Sequence, residues 1–449
     1  MEPFRHHVFV CTQQKAEGVT SCAASGAFTL LDTLGKVLQK EGLDDDVQVT
    51  TCGCMGLCDE SPVMVVYPEG TWYRKLQPDD IGEIARTHLK DGKVVERLEW
   101  KDAGAMKTLA LDHRDKYRAM VKARDQAGTL PDDLNELIRG YMPSRVVLTA
   151  LELDVFTAVG SGATADAVSE KLKTSLRGTE TLLNALVSLG LLKKSDGRFE
   201  CTPASARFFS AGSKDNARPG LLHIANIWHG WSNLTNIVKS GEVTKGARSK
   251  EGTEDFIAAM HRNATERARL LVKSLGTDGV RRILDLGGGS GAYSVAFAKA
   301  EPSVEAVILD VPEVVGLTKD YVEDAGVANQ VKIRPGDMLT SPLDSGYDLV
   351  MLNAICHMFS PAQNRALLKR AFGALAPGGR LAIQDFILNP DKASPRHAAL
   401  FAINMLVGTK EGSTYSEPEY SEWMREAGFT QVERVKLHGP SGLIVGHKG

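Results

Sequence analysis

Residues 283–294 read ILDLGGGSGAYS. An apolar run that ends in glycines and then opens into small helix-forming residues is the pattern of a buried strand, a tight turn and a helix. Glycines at 287, 288, 289 and 291 let the backbone turn closely against a ligand, beside the free N–H groups of a helix start. Outward from this stretch, apolar runs alternate with helical segments: RRILDL (281–286), EAVILD (305–310), KIRPGD (332–337), DLVMLN (348–353) and RLAIQD (380–385). That alternation predicts a parallel, doubly wound α/β sheet over residues 280–447. Asp310 ends its strand 25 residues after Asp285. A carboxylate there can accept both hydroxyls of a ribose, so on the local pattern alone NAD is an alternative ligand.

The remainder of the chain sets bounds. At about 150 residues per domain, 449 residues predict about three domains. A net charge of −3 excludes a global polycation, and nucleic acid is not expected as a partner. With 43% apolar and 24% charged residues the chain is expected to fold rather than remain disordered. No run of 18 apolar residues occurs, so no membrane span is expected. The start, MEPFRHHVFVCTQQK, lacks an apolar stretch followed by a small-residue cleavage site, which points to no signal peptide and a cytoplasmic location.

Five of the seven cysteines (Cys11, Cys22, Cys52, Cys54 and Cys58) fall in the first 58 residues; the others are Cys201 and Cys356. Clustered cysteines without a disulfide pattern point to metal binding or redox work in a separate module. Soft thiolates in a group of four suit an iron–sulfur cluster or zinc, and zinc would more often use close C-x2-C knuckles in both halves, which are absent. Around the cysteines we read a strand from His7 to Val10, a helix over Gly26–Glu41 and a strand over Val47–Thr51. The helix carries Phe28, Leu31, Leu34, Val37 and Leu38 at helical spacing. A strand pair turning at Glu69-Gly70 and a helix over Pro78–Asp91 follow. C-x10-C, CMGLC, VMVVYPEGTWY and HLKDGKVVERL together resemble the thioredoxin-like [2Fe-2S] ferredoxins over residues 6–98. The resemblance implies a [2Fe-2S] cluster held by Cys11, Cys22, Cys54 and Cys58. Cys52 is the extra cysteine, either a small buried residue or an alternative ligand.

Residues 99–130 read as a charged, solvated linker helix. Residues 131–275 are mostly helical. ATADAVSEKL, TETLLNALVSLGLL and a hairpin turning at Asp196-Gly197 have winged-helix order. The expected domains are therefore 1–98, a linker 99–130, a winged-helix domain 131–275 and a Rossmann-like domain 276–449. Over about residues 131–449 the chain resembles the class I S-adenosylmethionine-dependent methyltransferases. Within them it is most similar to the small-molecule O-methyltransferases of plant phenolic and bacterial polyketide metabolism. The features are the glycine turn, GDM (336–338), ICHMF (355–359) and APGGRLAIQD (376–385), with YMPSRVVLTALELDVFTAV and WSNLTNIVKSGE upstream. The resemblance implies a homodimer whose helical domain helps to close the partner's pocket. It also places Gly287 and Gly289 in the turn against the methionine part of the donor, Asp310 on the ribose, and Asp337 and Met338 at adenine. Asn353 stands where the family often has a lysine, and Phe359 where an aromatic ring can stack on adenine.

By the same resemblance His357 is the base and Asp385 its supporting acid; the plain alternative for His357 is a satisfied core or cap histidine. A neutral imidazole can take a phenol's proton at neutral pH, and a sulfonium leaves neutral, so one base and good positioning suffice. The family's second acid is Thr414 here. Trp228, Phe401, Asn404 and Met405 are expected to line the acceptor pocket, with Asn404 orienting the substrate; the alternative for FAINMLV (401–407) is an ordinary core helix. The sequence thus predicts an O-methyltransferase acting on a small hydroxylated aromatic or heteroaromatic acceptor, such as a hydroxybenzimidazole-type cofactor precursor. Its cluster is structural, regulatory or a docking point for an electron-transfer partner protein. The alternative is a donor-binding redox enzyme or sensor that uses the cluster's electrons.

Overall fold

The computed structural model describes residues 3–15, 19–243, 250–437 and 439–449. The chain divides into two compact units, Met1–Tyr141 and Met142–Gly449. Among the described residues no helix is long and apolar enough to cross a membrane.

In the first unit β1 (His6–Cys11) runs parallel to β2 (Val47–Cys52). The strands β3 (Met64–Tyr67) and β4 (Thr71–Tyr73) add antiparallel, giving the order β2-β1-β3-β4. The helix Ala27–Glu41 buries Ala27, Leu30, Leu34 and Leu38, the three- and four-residue spacing of one helical face. Phe28 is one position off that face and is exposed, whereas Leu30 is buried. Gly42, at φ 67°, ends the helix in the left-handed conformation that glycine adopts without strain. These leucines pack with Val8, Val10, Met64, Val66, Ile81 and Ile84, and each fully buried aliphatic side chain stabilises by about 1.5–3 kcal/mol. The helix Asp80–Ile84 continues as a π-turn over Ala85–Lys90, which carries His88 and Leu89 inward.

The helix Ala103–Gln126 begins at Asp102, whose carboxylate accepts the Ala105 N–H at 2.8 Å. One face of its first half is partly covered. Ala105, Met106, Leu109 and Ala110 pack on an apolar cluster that contains Cys11, Cys22, Leu57 and Trp100. Beyond His113 the residues are almost all exposed, as a charged linker requires.

The second unit begins with helices, among them Ala165–Leu172 and Leu176–Ser188. A small sheet flanks these two helices, made of β5 (Ala163–Thr164) before them and β6 (Leu192–Ser195) and β7 (Arg198–Cys201) after them. The β6–β7 turn has φ 49° at Asp196 and 74° at Gly197, the two positive values of a type I′ hairpin turn. The large sheet contains β8 (Arg282–Leu286), β9 (Glu305–Asp310), β10 (Val331–Pro335), β11 (Tyr347–Asn353), β12 (Leu375–Asp385), β13 (Gln431–Val435) and β14 (Gly442–His447). Its order is β10-β9-β8-β11-β12-β14-β13. The expected all-parallel sheet is corrected at one edge: β14 runs antiparallel to β12, and β13 antiparallel to β14. Leu349–Leu352 of β11 are wholly buried, as strands covered on both faces must be. From β8 the chain winds outward through β9 to β10, and from β11 through β12 in the other direction. The carboxyl ends of β8 and β11 therefore flank a topological switch point, where open α/β sheets bind ligands.

Candidate active site and cysteine centre

The glycine turn follows β8 directly. Gly287, Gly289 and Gly291 have φ of 69°, 56° and 76°. A Cβ on Gly287 would lie 2.7 Å from Met338 Cε and 3.0 Å from Ile355, so a side chain there would have to displace both, at a φ that already favours glycine. Asp310, at the end of β9, accepts the Gly289 N–H at 2.7 Å and the Val311 N–H at 2.8 Å. Each carboxylate oxygen keeps a lone pair for a further donor such as a ribose hydroxyl. Burial raises the Asp310 carboxyl, and the two N–H donors oppose that. Asp285 is buried and pushed up to about 6, chiefly by desolvation, against a 2.8 Å hydrogen bond from Ser294 Oγ. Its Oδ1 and both amide atoms of the buried Asn353 have no hydrogen-bond partner. Orphaned polar atoms beside a cradle of bare glycines fit a polar ligand such as S-adenosylmethionine, because buried polar groups are otherwise paired.

Asp337 is exposed, and its Oδ1 accepts the Leu339 N–H at 2.8 Å, so it caps the turn after β10. Met338 is buried in that turn, with its carbonyl held by Arg370 Nε at 3.0 Å. Phe359 is half-buried against the sheet core, and its carbonyl accepts the Tyr415 hydroxyl at 2.5 Å. His261, which the sequence reading passed over, reaches the turn from the helix Lys250–Leu275 and bonds Ser290 Oγ at 2.9 Å.

His357 lies in the short helical turn Cys356–Met358 just past β11, and Asp385 ends the neighbouring β12. His357 Nδ1 is 2.7 Å from Asp385 Oδ1, and the His357 backbone N–H donates to Oδ2 at 3.1 Å. The Phe386 N–H and the Tyr420 hydroxyl also donate to this carboxylate, at 2.8 and 3.4 Å. Both side chains are buried. With Nδ1 engaged, Nε2 is the ring nitrogen left to take a proton. Phe401 meets the imidazole edge to face at 4.9 Å and packs on Phe386 at 4.2 Å. Behind the imidazole, a Cβ on Gly412 would lie 2.4 Å from the His357 carbonyl oxygen.

Thr414 does not replace the family's second acid in this array, because its hydroxyl donates to the Ala398 carbonyl at 3.2 Å. Phe401, Asn404 and Met405 lie on the helix Arg396–Gly408, with Met405 buried. Asn404 Oδ1 accepts from Trp231 Nε1 at 3.0 Å, which leaves its Nδ2 as a donor. Trp228 lies one turn earlier on the helix Arg218–Ser232 and instead takes the Arg145 guanidinium over its ring at 5.7 Å. Trp231 and Phe386 are the residues that sequence reasoning missed here. The WHGW spacing (228–231) offered both tryptophans, and Phe386 directly follows the acid.

In the first unit, Cys54 and Cys58 Sγ are 3.6 Å apart. That matches the edge of about 3.8 Å expected when two thiolates share a tetrahedral ion with bonds near 2.3 Å. A hydrogen bond from Cys22 lowers the Cys11 thiol to about 6, helped by the backbone N–H groups of Gln13 and Met55. Cys22, the donor, is raised. The Gly56 N–H donates to Cys54 Sγ at 3.3 Å, and Lys15 Nζ donates to Cys58 Sγ at 3.0 Å and to His113. Among the described residues, Cys54, Cys58 and His113 form a compact donor group that includes neither Cys11 nor Cys22. Two sulfur pairs with donors aimed at them suit two bridged irons better than one four-sulfur zinc cage. Cys52 stands level with Cys11 across β1 and β2.

Comparison with known proteins agrees with both halves. The model of thioredoxin-like [2Fe-2S] ferredoxins matches residues 2–88, that of the O-methyltransferase dimerisation domain 135–211, and that of the O-methyltransferase domain 231–430. The 3-hydroxy-5-methyl-1-naphthoate 3-O-methyltransferase of Streptomyces sahachiroi is 32% identical over 330 residues, covering 71% of this chain and 95% of its own length. The L-tyrosine C(3)-methyltransferase of Streptomyces lavendulae is 28% identical, over 72% of this chain and 94% of its own. The solved structure of PigF with SAH superposes with a TM-score of 0.66 at 26% identity, covering 71% of this chain and 100% of that one. Human N-acetylserotonin methyltransferase in complex with SAM gives 0.63 at 25% identity, over 70% and 96%. The cofactors are S-adenosylmethionine and a [2Fe-2S] cluster, and the chain belongs to the S-adenosylmethionine-dependent O-methyltransferases, with a thioredoxin-like ferredoxin domain joined ahead of the dimerisation domain.

Proposed function

We propose that the enzyme methylates a hydroxyl of a small aromatic or heteroaromatic molecule, with His357 as general base. The observation that carries this reading is the 2.7 Å bond between His357 Nδ1 and Asp385 at the carboxyl edge of the sheet. Bound S-adenosylmethionine supplies an electrophilic methyl group. Gly287, Gly289, Asp310, Asp337, Met338, Asn353 and Phe359 hold it, with the Asp285 carboxylate lending negative charge to a cationic ligand. His357 Nε2 accepts the acceptor's hydroxyl proton, and Asp385 keeps the ring in the tautomer that leaves Nε2 free and stabilises the imidazolium formed. Phe401 and Met405 give the acceptor an apolar wall, Asn404 Nδ2 donates to it, and Trp231 takes the place expected of Trp228 beside Asn404. The aromatic acceptor of the naphthoate relative supports this class.

In the first unit Cys11, Cys22, Cys54 and Cys58 hold the cluster. Methyl transfer moves no net electrons, so the cluster's role is structural, regulatory or one of docking rather than a part in the transfer. It fixes the loop on which Met106, Leu109 and Ala110 pack. The chain works as a homodimer in the cytoplasm. The matched dimerisation domain, together with the exposed Leu137, Ile138 and Tyr141 at its start, supports the dimer.

Incubation with methyl-labelled donor and a panel of hydroxylated aromatics, hydroxybenzimidazoles included, tests the reading. Label is expected in a methyl group carried on an ether oxygen of the product. Label on carbon or nitrogen only would overturn it.

A further inference from the structure

His6 opens β1, Glu69 sits in the β3–β4 turn, and His88 lies in the π-turn Ala85–Lys90. The fold brings these three positions together inside the first unit. His6 is 3% and His88 0% exposed, while the Glu69 side chain is 38% exposed. The ring nitrogens facing the glutamate have no hydrogen-bond partner: His6 Nδ1 and His88 Nε2 are both buried and orphaned. They stand 3.5 and 3.7 Å from Glu69 Oε2. Those gaps exceed a normal N–H···O bond of about 2.7–3.2 Å. They are close to the ligand–ligand edge of about 3.4 Å in a tetrahedral ion with nitrogen and oxygen bonds near 2.1 Å. One donor atom from each of the three residues lies within 4.8 Å of the other two.

We propose that His6, Glu69 and His88 form a site for one divalent ion of the zinc class. The donor set of two imidazoles and a carboxylate is one that zinc takes, with a fourth position left for water on the exposed side of Glu69. His88 is already oriented for the task. Its Nδ1 is 2.8 Å from the Tyr73 hydroxyl, which in turn is fixed by the Val95 N–H at 3.1 Å. A hydrogen bond to the second nitrogen is how metal-binding histidines are usually aimed. The site does not share ligands with the cysteines. His6 and Cys11 are at opposite ends of β1, about 16 Å apart at about 3.3 Å per residue. An ion here would tie the start of the chain's first strand to the β3–β4 turn and to the π-turn Ala85–Lys90, and so stabilise the unit.

The test uses cluster-loaded, full-length protein dialysed against zinc. Elemental analysis is expected to show one zinc per chain beyond the cluster iron. X-ray absorption at the zinc edge is expected to show only nitrogen and oxygen neighbours. Glu69→Gln, at an exposed position, is expected to weaken zinc binding at least tenfold while iron content and the visible spectrum stay unchanged. His6→Gln should do the same. Sulfur neighbours at the zinc edge would place the ion at the cysteines and overturn the proposal. Zinc retention that is equal in the wild type and Glu69→Gln, or absent in both, would also overturn it.

Discussion

The methyl-transfer site and the cysteine centre are held in different ways. His357 and Asp385 sit at the ends of adjacent parallel strands, are 7% and 1% exposed, and form an array in which the carboxylate accepts four hydrogen bonds. The imidazole is thus oriented by the sheet before any ligand arrives. Cys54 is exposed and lies on the loop between β2 and β3, where its sulfur accepts a single backbone N–H, from Gly56. Preorganisation by a buried network makes catalysis robust to events elsewhere, whereas a sulfur on an exposed loop relies on its metal to order it. The two sites should therefore fail independently and by different amounts.

The largest effect tests that independence. Cys58→Ser should remove the cluster altogether, seen as loss of colour and of about two irons per chain, while calorimetry still shows donor binding. Cys52→Ser should retain most of the iron. Loss of donor affinity together with the cluster would break the comparison.

Next comes the base. His357→Ala should lower kcat by about 10²–10⁴-fold, the usual contribution of general-base catalysis, with donor affinity within a few-fold and iron content unchanged. Asp385→Asn should lose less, because that residue positions the ring and carries no proton. The loss in His357→Ala should shrink with more acidic acceptors or at higher pH. Equal rates for wild type and His357→Ala at pH 7 would show that proximity alone drives the transfer.

A smaller effect concerns pH. Asp285 is raised to about 6 by burial, so the free enzyme holds a proton there below that pH. A cationic donor favours the carboxylate and must displace that proton. Donor affinity should therefore be flat from pH 7 to 8 and fall by roughly tenfold by pH 5. Asp285→Asn should flatten the profile, and titration calorimetry across pH decides it.

The smallest effect sharpens the cysteine side. Lys15 donates a charged hydrogen bond to Cys58 Sγ. Lys15→Met removes a positive charge that favours the reduced cluster, so the midpoint potential should drop by tens of millivolts. A preference of roughly 1 kcal/mol corresponds to about 40 mV for one electron. Redox titration of the full chain measures it, and kcat should not change.

Much of the catalytic unit was legible in the residues. The glycine turn, Asp310 at a strand end and the pair His357 and Asp385 all depend on short-range patterns whose consequences the parallel sheet enforces. Contacts that join distant segments were not legible. The Trp231–Asn404 bond spans 173 residues, and Trp228 was no less plausible a partner by spacing. The edge strand QVERV is polar and mostly solvent-facing, so it lacks the apolar run by which the central strands are read. The packing of Ala105–Ala110 on the cysteine cluster was hidden by the charged residues that continue the same helix. His6 and His88 carry no spacing signal at all, because only the fold brings them together.

Gly412 has a consequence for anyone who redirects this enzyme to new acceptors. Any side chain there would press into the carbonyl of His357 itself, at 2.4 Å. Saturation libraries should leave 412 untouched, since the variants recovered from it would report a displaced imidazole rather than a reshaped pocket. Diversity belongs at Trp231, which bonds Asn404 and does not touch the imidazole, whereas Phe401 packs directly on that ring.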